Sequence, residues 1–110
     1  MFRAVVYVAI LSVAGAASAA AQDAQSHGER VFADQKCQLC HSVGGKGNAK
    51  GSLDKIGSKL SADDIRAWIT DARGMTERTK AARQPEMKAF TLPQADVDAL
   101  VVYLSAMKNK

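Results

Sequence analysis

The sequence is short of the residues from which a small protein usually builds its core and its catalytic groups. Only 5% of its 110 residues are aromatic, and it has two histidines, two cysteines and two prolines. No recognisable nucleophile lies beside a base, so we expect a protein that is not an enzyme. At this length an ordinary apolar core gives only marginal stability, and so few aromatic side chains add little to it.

Charge of one sign and regular repeats are also scarce. The formal net charge is +4, from 15 basic and 11 acidic side chains. No long block of like charge occurs, and aromatic residues do not alternate with lysine or arginine, so nucleic acid is not an expected partner. The sequence contains no internal repeat and no convincing strand, and its length permits one domain.

A hydrophobic run long enough to span a membrane is missing as well. An arginine precedes a short apolar run over residues 4–13, and small residues follow. This pattern predicts a signal peptide over residues 1–21, cleaved after Ala19 or Ala21. An uncleaved anchor is the alternative, but a span needs about 20 apolar residues. We therefore expect an exported, periplasmic domain over residues 22–110 without an integral membrane span.

Both cysteines lie in one motif, Cys37-Gln38-Leu39-Cys40-His41. In a helical turn Cys37 and Cys40 are three residues apart, so both thiols face the same way and each can add across one vinyl group of a porphyrin. The next residue, His41, then lies under the ring, where an imidazole nitrogen can ligate the iron. The motif predicts covalent attachment of haem c.

Three other interpretations of the cysteine pair stay open. A thioredoxin-like dithiol needs a βαβ pattern around it, which the sequence does not show. A zinc site needs four ligands, and His27 is the one further histidine, with no further cysteine. A structural disulfide would close a very short loop with little gain in entropy, and it would leave His41 without a role.

The mature chain resembles the class I c-type cytochromes, a monohaem family, over nearly all of its length. The resemblance rests on five features in order: Gly28 with Phe32, the motif from Cys37 to His41, a helix bearing Trp68, Met87 in a loop, and Leu100 with Tyr103. It implies a one-electron carrier whose single haem c alternates between ferric and ferrous iron. It also implies redox proteins as transient donor and acceptor, and a monomer.

We expect an all-α fold, a small cytochrome c fold with three main helices and long loops wrapped around one covalently bound haem. Capping residues and apolar stripes place the helices over residues 26–36, from Ser61 onwards, and over residues 93–107. Glycine-rich and polar composition predicts loops over residues 42–52 and 74–91.

The first and last of these helices should cross and close the domain. Gly28 and Phe32 share one face of the first helix, where the glycine permits a close approach and the ring can cover the haem. The last helix carries an apolar stripe of Val97, Leu100, Val101 and Leu104.

The resemblance implies four residues that bind the cofactor: Cys37, Cys40, His41 and Met87, the last two as iron ligands. An iron with one imidazole ligand needs a second strong ligand to cycle electrons with little rearrangement, and a thioether favours the reduced state. Met87 lies between Pro85 and Phe90, as the ligand methionine does in relatives. Its rivals are Met75, expected at the end of the Ser61 helix, and Met107.

Further expectations concern the surroundings of the haem. A carbonyl in the first loop should accept the hydrogen of the other imidazole nitrogen of His41. Ordinary core packing explains the apolar stripe that includes Trp68; because the second helix lies along the haem in relatives, a contact of its indole N–H with a propionate is a further possibility. Partners should be steered by charge at the rim, for which the candidates are Lys36, Lys46, Lys50, Lys55, Lys59, Lys80 and Lys88.

Two other functions stay open on the sequence. The protein could serve as a haem subunit of a larger oxidoreductase complex, or as a gas or redox sensor whose sixth iron ligand is weak.

Overall fold

The computed structural model describes residues 4–9 and 16–108. Within them the chain forms α1 (Ala16–Asp34), α2 (Ile56–Lys59), α3 (Ala62–Thr70), α4 (Ala72–Thr79) and α5 (Gln94–Ser105), with two short strands, β1 (Ser42–Val43) and β2 (Lys46–Gly47). Single turns of 3-10 helix cover Cys37–Leu39 and Ala49–Gly51. The fold is mostly helical, as the sequence predicts.

The crossing of α1 and α5 is the main helix packing of the domain, and the prediction of it is confirmed. A Cβ atom on Gly28 would overlap the Ala99 carbonyl oxygen and the Cβ atom of Tyr103. The rings of Phe32 and Tyr103 meet edge to face, with centroids 5.8 Å apart. Such pairs add roughly 0.5–1.5 kcal/mol beyond the burial of their area. The glycine thus permits the approach, and the two aromatic rings fill the space beside it.

Buried side chains from three helices form one hydrophobic core. They are Val31, Phe32, Ile65, Ile69, Val97, Leu100, Val101 and Leu104. Phe90 and Leu92, from the loop that precedes α5, are half-buried and pack against this core. The helices therefore hold that loop at its C-terminal end.

The helix predicted from Ser61 forms as α3, but the long loop predicted after it is wrong in its first part. The Ser61 hydroxyl caps α3 by accepting from the Asp64 N–H at 3.1 Å. A second helix, α4, then begins at Ala72, because the Asp71 carboxylate accepts from the Gly74 N–H at 3.2 Å and caps it. Only two residues of α4, Ala72 and Met75, are buried. Two apolar positions are too few to show a helical periodicity in the sequence.

The prediction that the first loop contains no strand is also wrong, though only for four residues. Ser42 pairs with Gly47, and Val43 with Lys46, in an antiparallel hairpin. The turn consists of two glycines, Gly44 and Gly45, with φ of 58° and 80°. Positive φ at both central residues is the requirement of the tight hairpin turn, and glycine meets it without strain.

The predicted bounds of the first and last helices need correction. We expect α1 to begin after Ser26, but within the described residues it extends back to Ala16, because the alanine-rich stretch before Ser26 has high helix propensity. The predicted cleavage positions lie within α1, and no observation tests them. The last helix matches its prediction within two residues, with Pro93 as its N-cap. Among the residues described, no helix combines the length and the apolar character needed to cross a membrane.

Candidate functional site

The motif from Cys37 to His41 follows α1 in a single tight turn. Lys36 redirects the chain at the end of α1 with a left-handed backbone, φ 57°. The backbone N–H groups of Cys40 and His41 both donate to the Cys37 carbonyl, at 3.2 and 2.9 Å. These two bonds hold the three residues of the motif in one turn.

Both thiols of the motif are free. Cys37 is half-buried, and burial raises its pKa from 9.0 to about 11; the backbone hydrogen bond opposes the rise and Cys40 adds to it. At neutral pH this sulfur is therefore a thiol, whereas a dithiol oxidoreductase needs a reactive thiolate. The pKa of Cys37 disfavours the thioredoxin-like interpretation of the pair.

His41 is half-buried, and its ring is oriented by the first loop. Its Nδ1 atom lies 3.0 Å from the carbonyl oxygen of Gly51. Because a carbonyl can only accept, Nδ1 carries the hydrogen, and Nε2 is left with a free lone pair in the neutral ring. Burial lowers the pKa of His41, the Gly51 hydrogen bond opposes this, and the charge of Arg83 lowers the pKa further. The imidazole is thus prepared to act as a neutral ligand.

Gly51 is the acceptor that the sequence left unidentified. It ends the 3-10 turn Ala49–Gly51, and its N–H donates to the Asn48 carbonyl at 3.1 Å. A Cβ atom at this position would overlap the Cys40 carbonyl oxygen and the Arg83 guanidinium. Glycine therefore lets the backbone approach closely enough for its carbonyl to reach His41.

Met87 lies apart from the motif, half-buried in the loop between α4 and α5. It lines an open concavity formed by Arg73 and residues 84–89. Within the described residues, no hydrogen bond joins Met87 to His41. The structure thus places three of the four predicted site residues together and the fourth in a separate loop.

The two rival methionines are engaged elsewhere. Met75 belongs to α4, not to the end of the Ser61 helix, and is 6% exposed. Its sulfur lies 3.0 Å from Nη2 of Arg78. Met107 packs against the hydrophobic core, and its carbonyl accepts from the Gly57 N–H. Their surroundings favour roles in packing and leave Met87 as the methionine beside an open concavity.

Arg83 is a neighbour of the site that the sequence did not predict. Its Nη2 atom donates to the Cys40 carbonyl at 2.6 Å, across 43 residues of chain. It also lies against Gly51. A single arginine in an irregular loop has no periodicity, and no sequence pattern gives the direction of its side chain. Its position four residues before Met87 was the one available signal.

Trp68 lies half-buried on α3. Within the described residues its indole N–H has no hydrogen-bond partner, so its contact with a haem propionate stays a prediction. Over the same residues, no three side chains among histidine, cysteine, aspartate and glutamate converge as a metal site.

The donor set of the motif and the loop suits a haem c chemically. It comprises two free thiols on one turn, a neutral imidazole with a free Nε2, and a thioether. Thiols add to vinyl groups, and imidazole with thioether is a ligand pair that iron accepts in cytochromes.

Comparison with known proteins identifies the family of the chain. Residues 25–108 match the family model described as cytochrome c. Among curated proteins the chain is similar to the cytochrome c oxidase subunit 2 of Alkalihalophilus pseudofirmus, with 29% identity over 92 residues, which is 76% of this chain and 25% of the relative. The chain therefore spans about a quarter of that relative's length. No solved structure matches it. Because the family model covers most of the chain, the protein belongs to the cytochrome c family, which implies a covalent haem c and haem-based electron transfer.

Proposed function

We propose that this protein is an exported one-electron carrier in which Cys37 and Cys40 hold haem c, and His41 and Met87 ligate its iron. In the attachment, each S–H would add across a vinyl C=C bond of the porphyrin, with sulfur bonding to one carbon and hydrogen to the other. The addition needs no oxidant. It requires two thiols that are free, as both are here.

The observation that carries the proposal is the contact between His41 and Gly51. With Nδ1 donating to the Gly51 carbonyl at 3.0 Å, the ring has one tautomer and one orientation. Its Nε2 lone pair is free, one residue from Cys40. An outer hydrogen bond of this kind is typical of histidines that ligate a metal, and it makes the ligand more basic.

When bound, haem c supplies one-electron exchange between ferric and ferrous iron. The protein's own residues adjust that exchange. The Gly51 carbonyl increases electron donation by His41, which favours the ferric state, whereas the thioether of Met87 favours the ferrous state. The apolar core between α1, α3 and α5 would exclude water from one side of the group.

The carrier would exchange electrons with redox proteins by brief docking. Cys40 is exposed, and the neighbouring Leu39 is 69% exposed. A haem attached there would have an edge near the surface, as electron transfer requires. The seven candidate lysines of the rim are all exposed. Exposed charges of one sign steer a partner to a small interface, where buried area contributes little.

Export to the periplasm is part of the proposal. The apolar run near the N-terminus, followed by small residues, supports a leader over residues 1–21. Residues 4–9 lie in an exposed, irregular segment that includes Val5, Val6, Tyr7 and Val8. The domain would then comprise residues 22–110 and act as a monomer.

A second candidate is a haem-bearing subunit of a larger oxidoreductase complex. It is favoured by the similarity to an oxidase subunit, of which this chain covers 25%. The two candidates use the same haem site and differ in association. A free carrier elutes as a monomer from the periplasmic fraction, whereas a subunit elutes with other proteins.

The experiment that tests the proposal is the absorption spectrum of the exported protein, oxidised and reduced. We expect the bands of a covalent haem c and, in the ferric state, the weak far-red band of a sulfur-to-iron bond. A folded product without haem, from cells competent in cytochrome maturation, would refute the proposal.

A further inference from the structure

The segment that carries Met87 has few attachments to the rest of the protein. Of the residues described, those from 82 to 89 make one hydrogen bond to another part of the chain, from Arg83 to the Cys40 carbonyl. After this segment, the Phe90 N–H donates to the Ile69 carbonyl at 2.8 Å. Phe90 also packs against the core. Met87 therefore lies between two attachments, Arg83 before it and Phe90 after it.

The attachment at Arg83 reaches the backbone around the motif at two points. Nη2 of its guanidinium donates to the Cys40 carbonyl at 2.6 Å. The guanidinium also lies over the Cα atom of Gly51, so closely that a Cβ atom there would overlap it. The planar fork of arginine suits such a contact, because its donors are fixed relative to each other. Arg83 thus joins the Met87 segment to Cys40, which precedes His41, and to Gly51, whose carbonyl accepts from the His41 ring.

The length of chain between Arg83 and Met87 limits where the sulfur can go. Four residues span at most about 14 Å when fully extended. With Arg83 held at the Cys40 carbonyl and Phe90 held at the Ile69 carbonyl, both ends of the segment are fixed, so Met87 can move only where the chain reaches from both. Without the Arg83 hydrogen bond, the segment is attached only at the end of α4 and at Phe90. Met87 can then move away from the motif together with the segment.

We propose that Arg83 is a positioning residue that fastens the Met87 segment to the backbone of the haem-attachment motif and so keeps the Met87 sulfur in place as the sixth ligand. This inference rests on the proposed function, because it takes His41 and Met87 as the iron ligands. It adds a residue that touches neither iron nor porphyrin. Arg83 acts through the position of Met87.

The consequence is an equilibrium between a closed and an open segment. An external ligand such as imidazole reaches the iron only when Met87 has left, so its apparent affinity reports the open fraction. Removing the guanidinium raises that fraction. Because Arg83 is exposed, water competes for its donors, and the effect is modest: we expect about a fivefold gain in imidazole affinity.

The experiment is an absorption titration of the ferric holoprotein with imidazole, comparing Arg83→Gln with Lys80→Gln. Both substitutions remove one positive charge from the same loop, and Lys80 is exposed. We expect tighter imidazole binding in Arg83→Gln, an unchanged affinity in Lys80→Gln, and an intermediate value in Arg83→Lys, which keeps a charge and a donor but not the fork. Equal affinities in the two glutamine variants would overturn the inference.

A general loss of stability must be separated from opening of the segment. His27→Ala removes a contact between α1 and α5, where His27 Nε2 lies 2.8 Å from Asp96 Oδ1. We expect this variant to unfold at lower urea concentration without gaining imidazole affinity. We expect Arg83→Gln to gain imidazole affinity without a matching loss of urea stability. If affinity follows urea stability in both variants, Arg83 is only structural.

The wild-type ferric spectrum separates this inference from the proposed function. A haem c without the far-red sulfur band would remove Met87 as a ligand, and the role of Arg83 with it. A normal wild-type band with no effect of Arg83→Gln would refute the positioning role alone.

Discussion

The carbonyl oxygen of Gly51 accepts a hydrogen bond from Nδ1 of His41 at 3.0 Å. Gly51 ends the 3-10 turn Ala49–Gly51, ten positions after His41. The contact requires glycine, because a Cβ atom at position 51 would overlap the Cys40 carbonyl oxygen. It sets the tautomer of the histidine and leaves Nε2 free. The first prediction follows from this contact.

Gly51→Ala should destabilise the holoprotein by roughly 1–3 kcal/mol, because the new Cβ atom overlaps the Cys40 carbonyl and must displace backbone. Urea unfolding measures the loss. The neighbouring Ser52→Ala is the control: Ser52 is exposed and its hydroxyl accepts only a long bond, 3.4 Å, from the Asp54 N–H, so we expect a change within about 0.5 kcal/mol. Equal stabilities of the two variants would contradict the close approach at Gly51.

Replacing the methionines separates the proposed iron ligand, Met87, from the core residue, Met75. We expect Met87→Ala to let carbon monoxide bind the ferrous protein, because it removes the proposed sixth ligand. Met75→Ala should lower the free energy of unfolding by about 2–5 kcal/mol and leave the iron closed, since Met75 is 6% exposed and lies in α4. The reverse pattern of carbon monoxide binding would show that the ligand assignment is wrong.

Gly28→Ala tests the crossing of α1 and α5. The added methyl group would meet the Ala99 carbonyl oxygen, which belongs to a helix backbone and cannot yield cheaply. We expect a loss of about 1–3 kcal/mol in urea unfolding. Gln25→Ala, on an exposed position of the same helix, is the matched control. If the two variants are equally stable, the helices do not approach at Gly28.

Before haem is attached, the pKa of His41 predicts how the stability of the protein depends on pH. Burial lowers this pKa below 6.5, so between the folded and unfolded values the unfolded chain binds more protons. The stability that neutral His41 contributes is fully present above pH 6.5 and is lost as the pH falls through the pKa of the folded protein. We expect a smaller free energy of unfolding at pH 5.5 than at pH 7.5, measured by urea unfolding at the two pH values. Greater stability at the lower pH would contradict the sign.

Salt should slow the reduction of the protein by its physiological donor if the exposed lysines steer the encounter. The Debye length falls from about 30 Å at 0.01 M salt to about 8 Å at 0.15 M, so steering by exposed charges weakens over this range. Stopped-flow reduction at several ionic strengths measures the effect. A rate independent of salt would count against a charged docking face.

Local patterns were sufficient for the elements with strong local signals. The Ser61 cap predicted the start of α3, and the Cys37 to His41 spacing predicted one tight turn. The α1–α5 crossing followed from Gly28 and the apolar stripe of the last helix. The cap and the turn depend on neighbours in sequence, and the crossing was predicted because each of the two helices carries its contact face in its own sequence.

The failures have a common cause in weak or competing local signals. The charged surface of α4 concealed its two buried residues, and the glycine composition around Gly44 and Gly45 concealed a hairpin that depends on that same glycine pair. The early start of α1 was missed because a good cap at Ser26 competed with the helix propensity of the alanines before it. In each case the secondary structure that formed depended on residues beyond the local pattern used to predict it.

The amino-acid sequence by itself determined the chemistry of the site: two thiols at helical spacing with a histidine beside them, a methionine in a later loop, and too few aromatic residues for a large core. Only the tertiary structure decided which carbonyl orients His41, that Met75 is buried in a helix of its own, and that Arg83 joins the Met87 segment to Cys40. The reason is physical. Residue types and spacings fix which bonds a side chain can make, whereas the partner it meets across 43 residues depends on how the helices pack.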